Sequence, residues 1–288
     1  MRISCSKAQT ISNCGRQYKY RYIDRLTTVL RPFALFFGSV VDKAVSSYVH
    51  HHALGQNFDI LSAFEESFDA ELSQHQIQYP QHWDEDVARE VGRILVTQFP
   101  GVWEQSNLVA VIDREGIPIV QRRIIVPLPR NHELEMILDS VVMDTMSGNI
   151  AVLDFKTTSQ LLSPESPFGY NAFQLTTYQY GADKELADYL GQVSNVGFQE
   201  FVKRKPPKTA KGKGPTVESP RFYPRRSDEQ VKDMLQTYLH KAEDISQRRF
   251  TRPVNGAFNS PCEMCDFARL CVHNDRQGIT VRPARRAA

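Results

Sequence analysis

No stretch of this chain reaches the run of about 18 apolar residues that a helix needs to cross a bilayer, so no membrane span is expected. The N-terminal MRISCSKAQT lacks the apolar segment of a secretory signal, and the expected location is cytoplasmic. A dominant charge is missing as well. Lys and Arg number 35 against 33 Asp and Glu, a net charge of +2, so no global field advertises a polyanionic partner and any basic surface must be local. No internal repeat is present. Cysteine is scarce and odd in number, five in 288 residues, which suits metal or redox chemistry better than a disulfide framework. What remains, 41% hydrophobic and 24% charged, is the composition of one globular domain with an elaborated core, or one domain with an appendage.

Ser6 and Gln9 have capping-box spacing, and the stretch from there to Leu26 reads as a helix carrying Cys14. After Pro32, the residues Phe33, Phe37, Val41, Ala44, Val45 and Tyr48 recur at helical spacing, interrupted by Asp42 and Lys43. Further helices are expected over roughly 58–75 and 84–106, and together they form a helical cap. From residue 108 the pattern becomes β-rich, with antiparallel strands through 109–113, 117–128, 133–144 and 149–157. A helix over 168–190, a strand over 193–203 and a helix capped by Ser227 follow. The fold class is mixed α/β, a central sheet flanked by helices. The triplet His50-His51-His52 points three ways on a helix and reads as its polar end.

In LDFKTTSQ, Asp154 and Lys156 share one strand face while Leu153 and Phe155 take the other. If the turn TMSGN leaves a loop of two or four residues, paired positions sum to an odd number and Asp139 joins that face. Two carboxylates and an ammonium together are costly to desolvate, and a divalent cation resolves the cost; oxygen ligands suit Mg²⁺ or Mn²⁺. Lys156 would position or help deprotonate the attacking water and offset charge on a phosphorane-like transition state. The plainer alternative is a surface ion pair on a half-exposed strand.

Asp139 followed one hairpin later by Asp154-Phe155-Lys156 resembles the D…(D/E)xK signature of the PD-(D/E)xK nucleases, in particular the RecB-like branch that includes AddB-type and CRISPR-associated iron–sulfur exonucleases. That branch carries Q-x-x-x-Y on the helix after the lysine strand, matched by Gln174 and Tyr178, and G-x-x-x-H on an upstream helix, where this chain has Gly38 and, in the histidine's place, Asp42. The resemblance implies a restriction-endonuclease-like core with metal held by Asp139, Asp154, the Phe155 carbonyl and Asp42. The glycine and basic residue common before the first aspartate are absent from Met136-Ile137-Leu138.

Cys262, Cys265 and Cys271 form a C-x2-C-x5-C array, with Cys14 as the plausible fourth thiol besides Cys5. In the resembled branch this arrangement holds a [4Fe–4S] cluster; four thiolates would also satisfy Zn²⁺. The resemblance divides the chain into an N-terminal helical region (1–107) with the first cluster cysteine, a nuclease core (108–204), a basic loop (205–226) and a C-terminal helix with the cysteine trio (227–288), all one integrated domain.

Between Lys203 and Arg226 lie nine basic residues and one acidic one, Glu218. This Pro- and Gly-rich segment reads as a solvated loop or an arm along phosphates, with Lys203, Arg204, Lys205, Lys208, Lys211, Lys213, Arg225 and Arg226 as candidate DNA contacts and Phe222 and Tyr223 as candidate base-stacking residues. The expected activity is that of a metal-dependent deoxyribonuclease; the resemblance implies an exonuclease on single-stranded DNA or DNA ends, acting in recombination, repair, phage replication or CRISPR spacer acquisition with recombination or CRISPR adaptation proteins as partners. The alternative is a non-catalytic iron–sulfur DNA-binding subunit.

Overall fold

The computed structural model describes residues 1–188, 191–207, 209, 211–253, 260–262 and 265–282. In chain order the elements are β1 (Arg2–Ser4), α1 (Cys5–Asn13), α2 (Gly15–Tyr18), a π-helical turn over Lys19–Ile23, β2 (Leu26–Thr28), β3 (Leu30–Pro32), α3 (Phe33–Ala53), α4 (Ile60–Gln74), β4 (Gln76–Gln78) and α5 (Glu85–Gln105). There follow β5 (Leu108–Ala110), β6 (Val120–Leu128), β7 (His132–Asp144), β8 (Ile150–Thr158), α6 (Pro167–Asn171), α7 (Phe173–Leu186), β9 (Asn195–Val202), β10 (Thr216–Val217), β11 (Arg221–Pro224), α8 (Asp228–Ser246), α9 (Ala268–His273) and β12 (Ile279–Val281). They form two compact units: Met1–Arg31 with Ile125–Glu135 and Asp233–Ala288, and Pro32–Ile124 with Met136–Lys232.

The second unit is built on a mixed sheet flanked by helices. β7 and β8 form an antiparallel hairpin in which Met143 faces Ile150 and Ser140 faces Leu153. Its loop is the four residues Thr145 to Gly148. Asp144 Oδ1 accepts the Met146 N–H at 2.8 Å, and Gly148, at φ +73°, donates its N–H to the Asp144 carbonyl. Paired positions therefore sum to an odd number, and Asp139 lies across from Asp154. The sheet is mixed because the chain leaves β8, crosses through α6 and α7, and returns as β9 parallel to β8, with Asp154 beside Phe198 and Lys156 beside Glu200.

Strand alternation divides the work of β8. Leu153 and Phe155 enter a core with Phe36 and Phe37 of α3, Phe64 and Phe68 of α4, and Leu95, Phe99 and Trp103 of α5, all buried. Each such side chain contributes about 1.5–3 kcal/mol on leaving water. Asp154 and Lys156 take the opposite sense, where α7 packs on β8 and β9.

Three local expectations are corrected. The helix expected over 168–190, of which 189–190 lie outside the described residues, is two pieces, because the backbone at Ala172 (φ −58°, ψ 112°) leaves the helical range between α6 and α7. The first helix is capped by Ser4, whose Oγ accepts the Lys7 N–H, whereas Ser6 lies inside the first turn; the helix then breaks at Cys14, which is extended (φ −164°, ψ 116°). The basic segment is not all loop, since β10 and β11 pair antiparallel with β9. The α8 cap is as expected and reciprocal: Ser227 Oγ accepts the Gln230 N–H and Gln230 Oε1 accepts that of Ser227.

In the first unit β1 runs parallel to the start of β7, β2 pairs with β12, and Leu26, Phe267 and Leu270 form a small core. Gly15 is required there: a Cβ at that position would lie 2.7–2.8 Å from the Phe250 and Thr251 backbone.

Candidate active site

Four elements of the second unit bring the site together. β8 supplies Asp154, fully buried, and Lys156, whose Nζ lies 2.6 Å from Asp154 Oδ2 and whose side chain stays 41% exposed. β7 supplies Asp139, whose carboxyl is within hydrogen-bonding reach of Asp154 and accepts the Phe155 N–H at 2.9 Å. α3 brings Asp42, and Gly38 one turn earlier allows its approach, because a Cβ there would lie only 3.2 Å from Thr157 Oγ1 of β8. α7 brings Gln174, whose Nε2 donates to Asp154 Oδ1 at 3.2 Å and to the Tyr178 hydroxyl at 2.7 Å. Asp42, Asp139, Phe155 and Lys156 line a pocket of about 460 Å³, with Leu35 and Gly38 at its α3 wall.

The electrostatics follow from crowding anions in a place water scarcely reaches. Burial, then the charges of Asp154 and Asp42, push the Asp139 carboxyl well above the ordinary carboxylate range. Burial also raises Asp154, against the pull of Lys156. Asp42 is pushed up to about 6, chiefly by burial, with the Ser46 hydrogen bond and Lys156 opposing. For Lys156 burial acts downwards, but Asp154 and Asp139 outweigh it and the ammonium is held above its usual value. One ammonium facing three carboxylates leaves a surplus of negative charge.

Among the described residues no three His, Cys, Asp or Glu side chains are arranged around a single metal point. The chemistry of the carboxylate site nevertheless suits a hard divalent cation: oxygen donors, excess negative charge, raised carboxyl pKa values, and an open pocket with room for water and substrate oxygens. Two residues of the site had not been read from the sequence. Ser46 Oγ donates to Asp42 Oδ1 at 3.3 Å, and Gln121 Nε2 reaches both Asp42 oxygens and Ser46 Oγ. Ser46 was visible as the i+4 neighbour of Asp42; Gln121, 79 residues from Asp42, carried no sequence signal.

The thiols lie in the first unit. Cys265 is raised by burial and further by the neighbouring Cys14 and Cys262, and an Arg16 Nη1 lies 3.9 Å from Cys271 Sγ. Cys14 Sγ accepts the Gln17 N–H. Cys5 is buried in α1. The histidine triplet ends α3, with His51 stacked on Phe58 and His52 on Tyr48.

The basic residues divide. Lys211 and Lys213 are exposed, Lys203 is half-buried with Nζ 5.9 Å from the Phe33 and Phe37 ring centres, Arg204 is half-buried, and Lys205 donates to the His82 carbonyl. Lys208 lies outside the described residues. Arg225 and Arg226 are engaged within the protein: Arg225 grips Asp183 with two hydrogen bonds of 2.9 and 2.7 Å, and Arg226 is 3% exposed and donates to the Gly169 carbonyl at 2.6 Å. Both guanidinium groups hold the protein's own β11–α8 connection. Tyr223 is buried too, so only Phe222 of that pair has a ring surface to offer.

Comparison with known proteins adds a family. None of the curated proteins compared matches. Among solved structures the chain is similar to the crystal structure of SSO0001, at 10% identity and a TM-score of 0.39, over 94% of this chain and 85% of that one. The model of the PD-(D/E)XK nuclease superfamily matches residues 2–272, and the chain belongs to that superfamily.

Proposed function

We propose that this protein is a Mg²⁺- or Mn²⁺-dependent deoxyribonuclease of the RecB-like branch, acting on single-stranded DNA or DNA ends. The observation that carries the reading is the convergence of Asp42, Asp139 and Lys156 on one open pocket, with the buried Asp154 paired to Lys156; every carboxyl is raised chiefly by burial, and those of Asp139 and Asp42 also by like charge. The bound cation would supply charge neutralisation for the scissile phosphate and its leaving oxygen.

The chain's own groups account for the rest. Asp139, Asp154 and Asp42 would hold the cation. The Phe155 N–H leaves β8 towards β7, and in a strand the carbonyl of the same residue leaves on the same side, so the Phe155 carbonyl faces Asp139 and can complete the set. Gln174 fixes the Asp154 carboxylate in one orientation, and Tyr178 fixes Gln174. Lys156, anchored at one end of the donor set yet partly exposed to the pocket, orients the attacking water and places positive charge where the phosphate becomes more anionic. The exposed Lys211 and Lys213 would add sequence-independent attraction for phosphates.

Membership of the RecB-like branch brings a structural [4Fe–4S] cluster at Cys14, Cys262, Cys265 and Cys271. The closeness of Cys265 to Cys14 and to Cys262 supports it, and iron analysis of an anaerobic preparation separates iron–sulfur from zinc. The chemistry fits recombination, repair, phage replication or spacer acquisition. The deciding experiment is digestion of end-labelled single- and double-stranded DNA with Mg²⁺ or Mn²⁺, comparing wild type with Lys156→Ala and Asp154→Ala once all three are shown to bind DNA. Cleavage lost in both variants supports the reading; a wild type that binds and never cuts points to a non-catalytic DNA-binding subunit instead.

A further inference from the structure

Gln121 is the one residue among the described non-glycines with positive φ that sits inside a strand. Arg25, His82, Asn107, Arg130, Asn131, Arg248 and Asn274 lie in turns or helix caps, whereas Gln121, at φ +49°, is the second residue of β6. A left-handed residue within a strand re-aims its side chain relative to the pleat, and for a residue with a Cβ the conformation is strained and persists only where its surroundings hold it.

The side chain goes into the active-site wall. Gln121 Nε2 lies 2.9 Å from Ser46 Oγ and 3.3 and 3.2 Å from the two oxygens of Asp42. Ser46 Oγ lies 3.3 Å from Asp42 Oδ1. Only one assignment of donors satisfies all of these: the serine proton goes to Asp42, the serine oxygen accepts one amide N–H, and the other amide N–H is shared between the carboxylate oxygens. Ser46 is itself buried, so its position is set by the core behind α3. Asp42 thus receives donors from its own helix and from β6.

We propose that Gln121, acting with Ser46, is a positioning residue that locks the Asp42 carboxylate into the pocket for divalent-cation binding. The proposal rests on the reading that Asp42 is a cation ligand. It makes β6, which contributes no ligand of its own, part of the cation site, and it gives the strained backbone at Gln121 a purpose. Donors behind a ligating carboxylate restrict its orientation, and removing such a partner commonly costs about 10–100-fold in metal affinity.

The test is Mn²⁺ binding to the whole protein, measured by calorimetry and by the electron-spin signal of free Mn²⁺, together with the melting temperature in EDTA. The variants are Gln121→Leu, Gln121→Gly, Asp42→Asn, the double variant Asp42→Asn with Gln121→Leu, and Asp154→Asn. Gln121→Leu removes the donor and keeps the bulk, while Gln121→Gly also relieves the backbone. The expected result is a loss of about tenfold or more in Mn²⁺ affinity for both Gln121 variants, an undiminished melting temperature for Gln121→Gly, and a double variant no weaker than Asp42→Asn alone. A purely structural role for Gln121 would move the melting temperature and leave Mn²⁺ affinity unchanged, which overturns the proposal. So does a double variant whose losses add, because Gln121 would then act other than through Asp42. If Asp42→Asn binds Mn²⁺ like wild type while Asp154→Asn does not, Asp42 is no ligand and the proposal fails although the nuclease reading stands; if Asp154→Asn also binds normally, the reading of the whole site fails with it.

Discussion

Across the β7–β8 hairpin the Phe155 N–H donates to the Asp139 side chain, at 2.9 Å, where a backbone carbonyl would otherwise receive it. The paired stretch of the two strands ends at Ser140 and Leu153, one residue short of Asp139 and Asp154. A carboxylate has replaced the next rung of the ladder, and the strands part at the point where the cation site is needed. Asp139→Asn keeps an acceptor for Phe155 but removes one charge from the crowd. We therefore expect the metal-free variant to be more stable than wild type above neutral pH, because the repulsion by Asp154 and Asp42 is relieved. Cleavage should fall by about 10²-fold or more. Urea unfolding in EDTA and end-labelled DNA digestion measure the two effects; a destabilised variant would contradict the account of the site as strained by like charge.

The pH dependence of metal-free stability follows from the same crowding. A carboxyl whose pKa is higher folded than unfolded binds more protons in the folded state, so stability falls as pH rises from the unfolded value through the folded one. For Asp42 that window runs from the ordinary value of 3.8 to about 6. His132, lowered by burial, acts in the opposite sense, and so the difference between wild type and Asp42→Asn is the quantity to follow. In EDTA, wild type should lose stability relative to Asp42→Asn between pH 4 and 7, the gap closing when Mn²⁺ is restored to wild type. Parallel stability curves for the two proteins would show that Asp42 does not titrate in this range.

Gln174 offers a graded test. It donates to Asp154 Oδ1 and to the Tyr178 hydroxyl, so Gln174→Leu leaves a buried carboxylate oxygen without its amide donor, a loss of ~1–3 kcal/mol. Gln174→Glu goes further and sets a fourth carboxylate beside Asp154. The expected order of cleavage rates at limiting Mn²⁺ is wild type, Tyr178→Phe, Gln174→Leu, Gln174→Glu. A glutamate variant as active as the leucine variant would mean that Gln174 does not control the charge of the site.

The basic segment separates into surface and scaffold. Lys211→Ala with Lys213→Ala should weaken DNA binding equally for all sequences and flatten its salt dependence by about one to two phosphate contacts, with the melting temperature unchanged. Arg226→Ala should lower the melting temperature, since it empties a buried site on the Gly169 carbonyl. Fluorescence anisotropy across a salt series and thermal melts distinguish the two; a salt slope altered by Arg226→Ala in a fully folded protein would return that residue to the DNA surface.

What could be read before folding was whatever depends on period or short range. The helical spacing of Phe33, Phe37 and Val41 located α3, and strand alternation put Asp154 and Lys156 together. The turn TMSGN fixed the register that opposes Asp139 to Asp154. Gln174 and Tyr178 were one helical turn apart and did meet. What escaped was decided by long-range packing or by single dihedral angles. Arg225 looks like any basic loop residue until β11 carries it to Asp183. The non-helical backbone at Ala172 that splits α6 from α7 has no signature in a residue with good helix propensity. Gln121 depends on one left-handed backbone angle in β6.

Gly38 shows how close packing and chemistry are joined, and it gives the last prediction. It lies one turn before Asp42 on α3, and a Cβ in its place would lie 3.2 Å from Thr157 Oγ1, on the strand that carries Asp154 and Lys156. Alanine here brings two opposed effects of similar size: a gain of about 1 kcal/mol in helix propensity and a contact tighter than van der Waals packing allows. Gly38→Ala should therefore change stability little, yet it must move α3 by a few tenths of an ångström away from β8, and Asp42 moves with it. A branched side chain cannot be accommodated that way, so Gly38→Val should weaken Mn²⁺ binding by about tenfold or more while the protein still unfolds cooperatively. Thr157→Ala removes the opposing hydroxyl and should restore Mn²⁺ affinity to Gly38→Ala more than to Gly38→Val. Wild-type affinity in Gly38→Val would show that Asp42 does not depend on the approach of α3 to β8. Failure of Thr157→Ala to rescue a weakened Gly38→Ala would place the obstruction elsewhere than at the Thr157 hydroxyl.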